Sequence, residues 1–216
     1  MNTLKYALKN EWYNIVALLL PFGAIPFIST YLPARMAMHW DFNGHASIYM
    51  GKDFGVLFLP VINFFLYVAI LRQSERDKSR DLFLRTSLVF LLLIVQTFNI
   101  IENMGWGYPP IDFILPITAL LLIIGGFYLR FNRPKDFIGI HLPWSLDDPH
   151  KWNQTHRFAT YLWIAAGLFL LASFPFFDSY TVINIFLITL LTVGLLPTIY
   201  SFFLYNFQNK SGINSK

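Results

Sequence analysis

The chain has 216 residues, of which 56% are hydrophobic, 19% aromatic and only 13% charged. That balance excludes an ordinary soluble domain and a disordered chain alike. The net charge of +4 calls for no direct nucleic-acid partner, because membrane orientation and anionic lipid headgroups account for it, and the absence of cysteine removes disulfides, thiolate nucleophiles and Cys-ligated zinc.

In chain order, six stretches contain no Asp, Glu, Lys or Arg: 12–34, 54–71, 86–101, 113–129, 158–177 and 179–209. A run of about 18 or more apolar residues crosses a hydrocarbon core of roughly 30 Å as a helix. The runs are continuous, as in Val89–Val95, and do not alternate as barrel strands do. The two shorter runs reach full length by extending through Leu82–Leu84 and through Asp112. The expected fold class is all-α, a polytopic membrane bundle of six transmembrane helices. Fourteen of the 16 Lys and Arg residues fall in one set of alternate gaps, which predicts that both termini are cytoplasmic.

Ahead of the first span, Leu4, Leu8 and Trp12 recur at helical spacing beside Lys5 and Lys9. This predicts a short interfacial lead-in helix and an uncleaved first span. Pro21 and Pro26 should kink that span. The gap 33–53 then reads as an ordered exterior loop with Trp40, Phe42 and Tyr49 at headgroup depth and a turn at Asn43-Gly44. Its His39, Asp41 and His45 are zinc-compatible types, but their spacing fits no zinc motif and no metal is expected. The charge run 72–81 reads as a solvated cytoplasmic turn. Gly105, Gly107, Pro109 and Pro110 mark an irregular exterior loop, flanked by Glu102 and Asp112 as boundary charges.

The cytoplasmic gap 130–157 follows the fourth span. Ser145 resembles a helix N-cap, with Asp148 as a capping-box-like acid. The final gap is minimal, around Phe177–Ser179, and the tail 209–216 is polar and expected to fray. Each half runs span, long gap, span, short gap, span, so the chain divides into 1–109 and 110–216 within one integrated membrane domain. Three spans per half is the arithmetic of an inverted repeat.

The segment Gly139-x-x-x-Pro143-Trp144-Ser145-Leu146-x-Asp148-x-x-x-Trp152-x-x-x-x-Arg157-Phe158-Ala159 resembles the signature of the SdpI family, bacterial immunity proteins against a secreted killing peptide. The earlier segment, Leu32-Pro33, His39-Trp40, Gly44, Tyr49, Lys52 and Pro60, resembles a domain of unknown function that often precedes it. Two departures stand out: His141-Leu142 in place of the usual Arg-Thr, and Ala37 where the family usually has Pro. A guanidinium is a permanent fork of donors, which an imidazole is not.

The resemblance implies protection against a toxin peptide. It also implies toxin sensing coupled to sequestration of a cytoplasmic transcriptional repressor at the membrane. On that basis His39, Trp40, Asn43, Gly44 and Lys52 are the expected toxin-binding residues outside. Gly139, Pro143, Trp144, Trp152 and Arg157 are expected to shape the cytoplasmic partner surface. Substituting Trp144 or Trp152 is expected to abolish protection while the protein stays in the membrane. The rival reading is a small transporter or exporter built from inverted halves. Against it, the span interiors offer only uncharged polar groups such as Asn63, Gln96, Asn99 and Asn184. An enzyme is not expected, since there is no His-Glu-x-x-His motif and no nucleophile elbow. No cofactor is implied.

Overall fold

A computed structural model describes residues 3–41, 45–73, 78–107, 111–134, 139–146, 148–177 and 179–212. The chain divides into two compact units, Met1–Ile117 and Thr118–Lys216.

In the first unit the lead-in helix is present as α1 (Thr3–Asn10), with Lys9 in its last turn, where a cation suits the helix dipole. Glu11 leaves helical geometry at φ −129°, and α2 (Trp12–Ile28) begins immediately after it. Pro21 and Pro26 both lie inside α2. A 3-10 turn at Ser29–Tyr31 leads to strands β1 (Arg35–Trp40) and β2 (Ala46–Gly51). Then come α3 (Lys52–Gln73), α4 (Lys78–Asn103) and the start of α5 (Ile111–Leu129).

The hairpin corrects the all-α expectation. β1 and β2 pair antiparallel from Arg35–Gly51 to Trp40–Ala46, with register shifts on either side of His39. Ile48 and Tyr49 favour extended backbone. An Asn-Gly pair between two such runs is itself a hairpin signal. The Asn43-Gly44 turn lies outside the described residues. Beside it the Asp41 and His45 backbones pair at 2.8 Å.

The hairpin end of the unit is packed around buried Leu32, Met36 and Val56. A Cβ on Gly55 would stand 3.2 Å from the Met36 sulfur, so this glycine lets α3 approach β1. Farther along the same helices, Ala17, Leu18, Tyr67 and Val89 form a second buried cluster.

The second unit contains the rest of α5, the one-turn α6 (Pro143–Leu146), α7 (Pro149–Ser173) and α8 (Ser179–Gly212). Helix α8 continues through the tail residues 209–212 that the sequence left as frayed polar chain. Ala119, Leu122, Leu170 and Val193 form the core. Small residues allow close approach of α5 and α7. A Cβ on Gly167 would fall 2.6 Å from the Ala119 carbonyl oxygen, and one on Gly126 would fall 2.8 Å from the Ile164 side chain.

Among the described residues, four helical segments are long and apolar enough to cross a bilayer: Trp12–Tyr31, Lys52–Arg72, Asp81–Asn103 and Thr181–Asn206. The other two expected spans are helical but shorter in apolar extent. Leu115–Leu129 is the apolar part of α5, and α7 opens with the polar run Pro149–Arg157. Large apolar side chains stand exposed along the helices, among them Leu19, Leu20, Phe65, Ile188 and Leu191. Apolar surface on that scale is at home against lipid.

Candidate functional site

The hairpin does not float over the first unit. Asn99 and Asn103 lie one helical turn apart on α4. Their Nδ2 groups both donate to the Ala37 carbonyl oxygen at 3.0 Å, and the Ala37 N–H donates to Asn103 Oδ1 at 2.6 Å. Ala37 borders a register shift in the ladder, and the asparagines satisfy its backbone groups. A proline here, as the resemblance led one to expect, would have no N–H to give. On the other side the Lys52 ammonium donates to the Ser29 carbonyl oxygen at 3.1 Å, tying the start of α3 to the end of α2.

Beneath the anchored hairpin is a cavity of about 440 Å³. Its walls are apolar and aromatic: Trp40, Phe58, Phe98 and Phe113 with methionine and branched aliphatic neighbours. Phe98 and Phe113 stack at 3.7 Å. The polar groups on its lining are His39, Asn99 and Glu102. An apolar concavity with a few convergent polar groups is the usual build of a ligand site. The Oε2 of Glu102 has no solvent access and no hydrogen-bond partner. One oxygen of the half-buried Glu102 is thus withdrawn from solvent, which a fully solvated boundary charge would not show.

Of the expected toxin-binding residues, the structure brings His39 and Trp40 to this cavity. His39 Nδ1 lies 2.7 Å from Ser47 Oγ. Asp41 and His45 interact with each other at 3.7 Å, so His39 does not converge with them. Lys52 is a brace between helices, not a cavity residue. Asn43 and Gly44 lie outside the described residues. Sequence reasoning missed Phe58, Phe98, Asn99 and Phe113. The signal available for Asn99 and Asn103 was a pair of amides spaced i, i+4 at the end of an otherwise apolar helix.

The opposite end of α2–α4 carries a second polar constellation that the sequence did not reveal. Glu11 and Arg85 are both fully buried. The guanidinium donates through Nε to Glu11 Oε2 at 3.1 Å and through Nη2 to Oε1 at 2.5 Å. Tyr67 OH donates to the same Oε2 at 3.0 Å, and Asn14 Nδ2 donates to Thr86 Oγ1 at 3.0 Å. The tally of basic residues counts Arg85 in a gap between spans and gives Glu11 no role. The span interiors therefore hold more than uncharged polar groups.

In the second unit, residues 139–146 are clamped onto α7 and α8. Trp152 is fully buried. Its indole N–H donates to the Asn132 carbonyl oxygen at 2.9 Å, and its ring stacks on His156 at 4.0 Å. His156 Nε2 accepts the Ile140 N–H at 3.0 Å. Its proton therefore sits on Nδ1, which donates to the Trp152 carbonyl oxygen, also at 3.0 Å. A Cβ on Gly139 would press to 3.2 Å from that Nε2 and 3.3 Å from the Trp152 ring, so only glycine fits without adjustment. Trp144 donates to Ser201 Oγ at 3.2 Å, and Thr155 donates to the same oxygen at 2.9 Å. His141, at the Arg-Thr departure, is exposed, with Nδ1 3.0 Å from the Gly139 carbonyl oxygen. Arg157 is exposed on α7 beside Gln154, Tyr161 and Tyr200.

The cap of α7 is Asp148, not Ser145. Asp148 Oδ1 accepts the His150 N–H at 2.9 Å and the Lys151 N–H at 3.2 Å, and Lys151 Nζ stands 3.4 Å from Oδ2. Pro149 occupies the first helical turn and holds Asp148 extended at ψ 102°, which ends α6 and fixes where α7 starts. Ser145 instead sits inside α6, with Oγ donating to the Leu142 carbonyl oxygen at 3.0 Å. The Lys151 N–H is the main influence lowering the Asp148 carboxyl pKa, aided by the His150 N–H and the Lys151 ammonium and opposed by partial burial.

Residues 16–64 match a domain of unknown function, DUF1648. The matched region holds the hairpin and most of α2 and α3. No curated protein and no solved structure matches the chain. Residues 132–201, from the Asn132 that receives Trp152 to the Ser201 that receives Trp144, match the SdpI/YfhL protein family.

Proposed function

We propose that this protein is a multi-pass immunity protein of the bacterial cell membrane that protects its host from a secreted, membrane-active toxin peptide. The match of residues 132–201 to the SdpI/YfhL family supports a membrane immunity-type role in general, and the apolar helices support a membrane location. In this reading both termini are cytoplasmic, the hairpin is outside and α5 and α7 complete six spans, which the alternate distribution of basic residues supports. A peptide arriving from outside then meets the hairpin first. The observation that carries this reading is the aromatic cavity beneath the hairpin. It offers an amphipathic peptide an apolar pocket at headgroup depth.

Residues 139–157 face the cytoplasm in this topology and present Arg157 and His141 to a soluble partner. A transcriptional repressor held there fits the family. Sensing requires two arrangements of the bundle, each favoured by a different ligand.

The test is expression in a susceptible bacterium challenged with a panel of killing peptides. The wild-type chain raises survival against at least one of them. Trp40→Ala lowers survival at unchanged membrane abundance. Full protection by Trp40→Ala, or no protection by the wild type against any peptide, refutes the reading. Trp144→Phe tests the cytoplasmic face, because it removes the bond to Ser201 and keeps an aromatic ring. Trp152 cannot separate the two roles, since a fully buried indole supports the fold itself.

One observation favours a second reading. The buried Glu11–Arg85 pair is the kind of intramembrane ionisable group on which ion-coupled transport is built. Proton-coupled flux in sealed vesicles, abolished by Arg85→Lys, would establish it.

A further inference from the structure

Glu102 is hard to explain as a structural residue. It sits in the last turn of α4, where the helix dipole disfavours a negative charge. Its Oε2 is closed to solvent and bonded to nothing, and leaving a buried acceptor unsatisfied costs free energy. Among the described residues no cation pairs with it. Yet the residue lines a cavity whose other walls are almost entirely apolar. Oε2 makes no bond that a turn of the carboxylate toward the cavity would have to break.

We propose that the hairpin cavity is a binding site for an amphiphilic amine: an apolar, aromatic-sized group among Trp40, Phe58, Phe98 and Phe113, with its ammonium or guanidinium on the Glu102 carboxylate. Charge complementarity selects the occupant. A neutral apolar group leaves Glu102 unpaired, and an anion is repelled by it. A cation supplies the missing donor in a site of low dielectric, where charge-assisted hydrogen bonds are strong. Phe98 and Phe113, stacked on each other, also offer ring faces and edges to such a group. For its natural occupant, the anchoring residue of a toxin peptide, this inference rests on the function proposed above. For the chemistry of the site it does not.

The full chain in lipid nanodiscs is titrated calorimetrically with 4-phenylbutylamine, 4-phenylbutan-1-ol and 4-phenylbutyrate. These probes share one apolar body and differ in the charge of the head. The amine binds roughly tenfold or more tightly than the alcohol, as a charge-assisted bond in place of a neutral one implies, and the butyrate binds weakest. Glu102→Gln, which keeps size and shape, removes the preference for the amine. Equal binding of amine and alcohol by the wild type overturns the inference, whatever the variant does. So does a preference that survives in Glu102→Gln. An amine preference in a protein that protects against no killing peptide refutes the immunity reading and leaves the site standing. Protection without an amine preference does the reverse.

Discussion

Glu11 and Arg85 meet with both side chains wholly removed from solvent, at a place where charge is expensive to bury. Their attraction repays desolvation only because the geometry is bidentate and because Tyr67 donates to the same carboxylate. Removing one partner leaves an uncompensated buried charge. Arg85→Ala is therefore expected to destabilise the protein by about 3–5 kcal/mol, read as a lowered midpoint in detergent unfolding. The double variant Glu11→Leu, Arg85→Met is expected to recover most of that loss. If the single variant unfolds at the wild-type midpoint, the pair is not buried as described. None of this was legible in the sequence, because a charge at the edge of an apolar run reads the same whether it faces solvent or a neighbouring helix. Glu102 was misread for the same reason. His39 and Trp40 were singled out through the family resemblance, and both line the hairpin cavity. Ala37 carried a quieter signal: it stands where the resemblance led one to expect proline, and its N–H holds the strand to Asn103.

At the scale of elements, small residues and caps decide where the helices lie. The α5–α7 contact depends on Gly167, where a Cβ would meet backbone on the facing helix at 2.6 Å. Gly194 on α8 has nothing within 4 Å of its would-be Cβ. Gly167→Ala should therefore cost roughly 1–3 kcal/mol through overpacking. Gly194→Ala should be neutral or stabilise by up to ~1 kcal/mol through helix propensity. Unfolding midpoints that fail to separate these two alanines would remove the basis for the packing. The cap of α7 gives a pH dependence. The Asp148 carboxyl has a pKa below its ordinary value in the folded protein, so the unfolded chain binds its proton first as pH falls. The cap's contribution is complete above the unfolded pKa, near 4, and fades as pH drops through the lower folded value. Asp148→Ala should lower stability by about 1 kcal/mol at neutral pH and by progressively less below pH 4, followed by thermal unfolding across that range. The sequence placed a cap in this segment but chose Ser145. The stronger constraint was Pro149, which starts a helix and forces the residue before it to be extended.

For the whole molecule, hydropathy located the helices well, because a long charge-free run has few alternatives to a helix in lipid. It lost the hairpin, since six-residue strands between spans leave only a weak alternation. It also could not show that α7 ends at Ser173, before the charge-free run 158–177 does. Topology is the scale at which the functional proposal is most exposed, and the absence of cysteine makes it directly measurable. Single cysteines at Ser47 on β2, at His150 on α7 and at Lys216 should each label cleanly, with no background thiol. In intact cells an impermeant maleimide should modify Ser47→Cys, which is exposed on the hairpin. His150→Cys and Lys216→Cys should react only after the membrane is permeabilised. Chain parity makes the pattern discriminating. If α5 and α7 both cross the bilayer, β2 is separated from the start of α7 by three spans, and those two cysteines must report opposite sides. If α5 instead lies within one leaflet, two crossings remain between them and both label from the same side. In that case the hairpin cavity and the clamped segment would share one compartment, and a protein that meets a toxin outside could not present residues 139–157 to a partner inside.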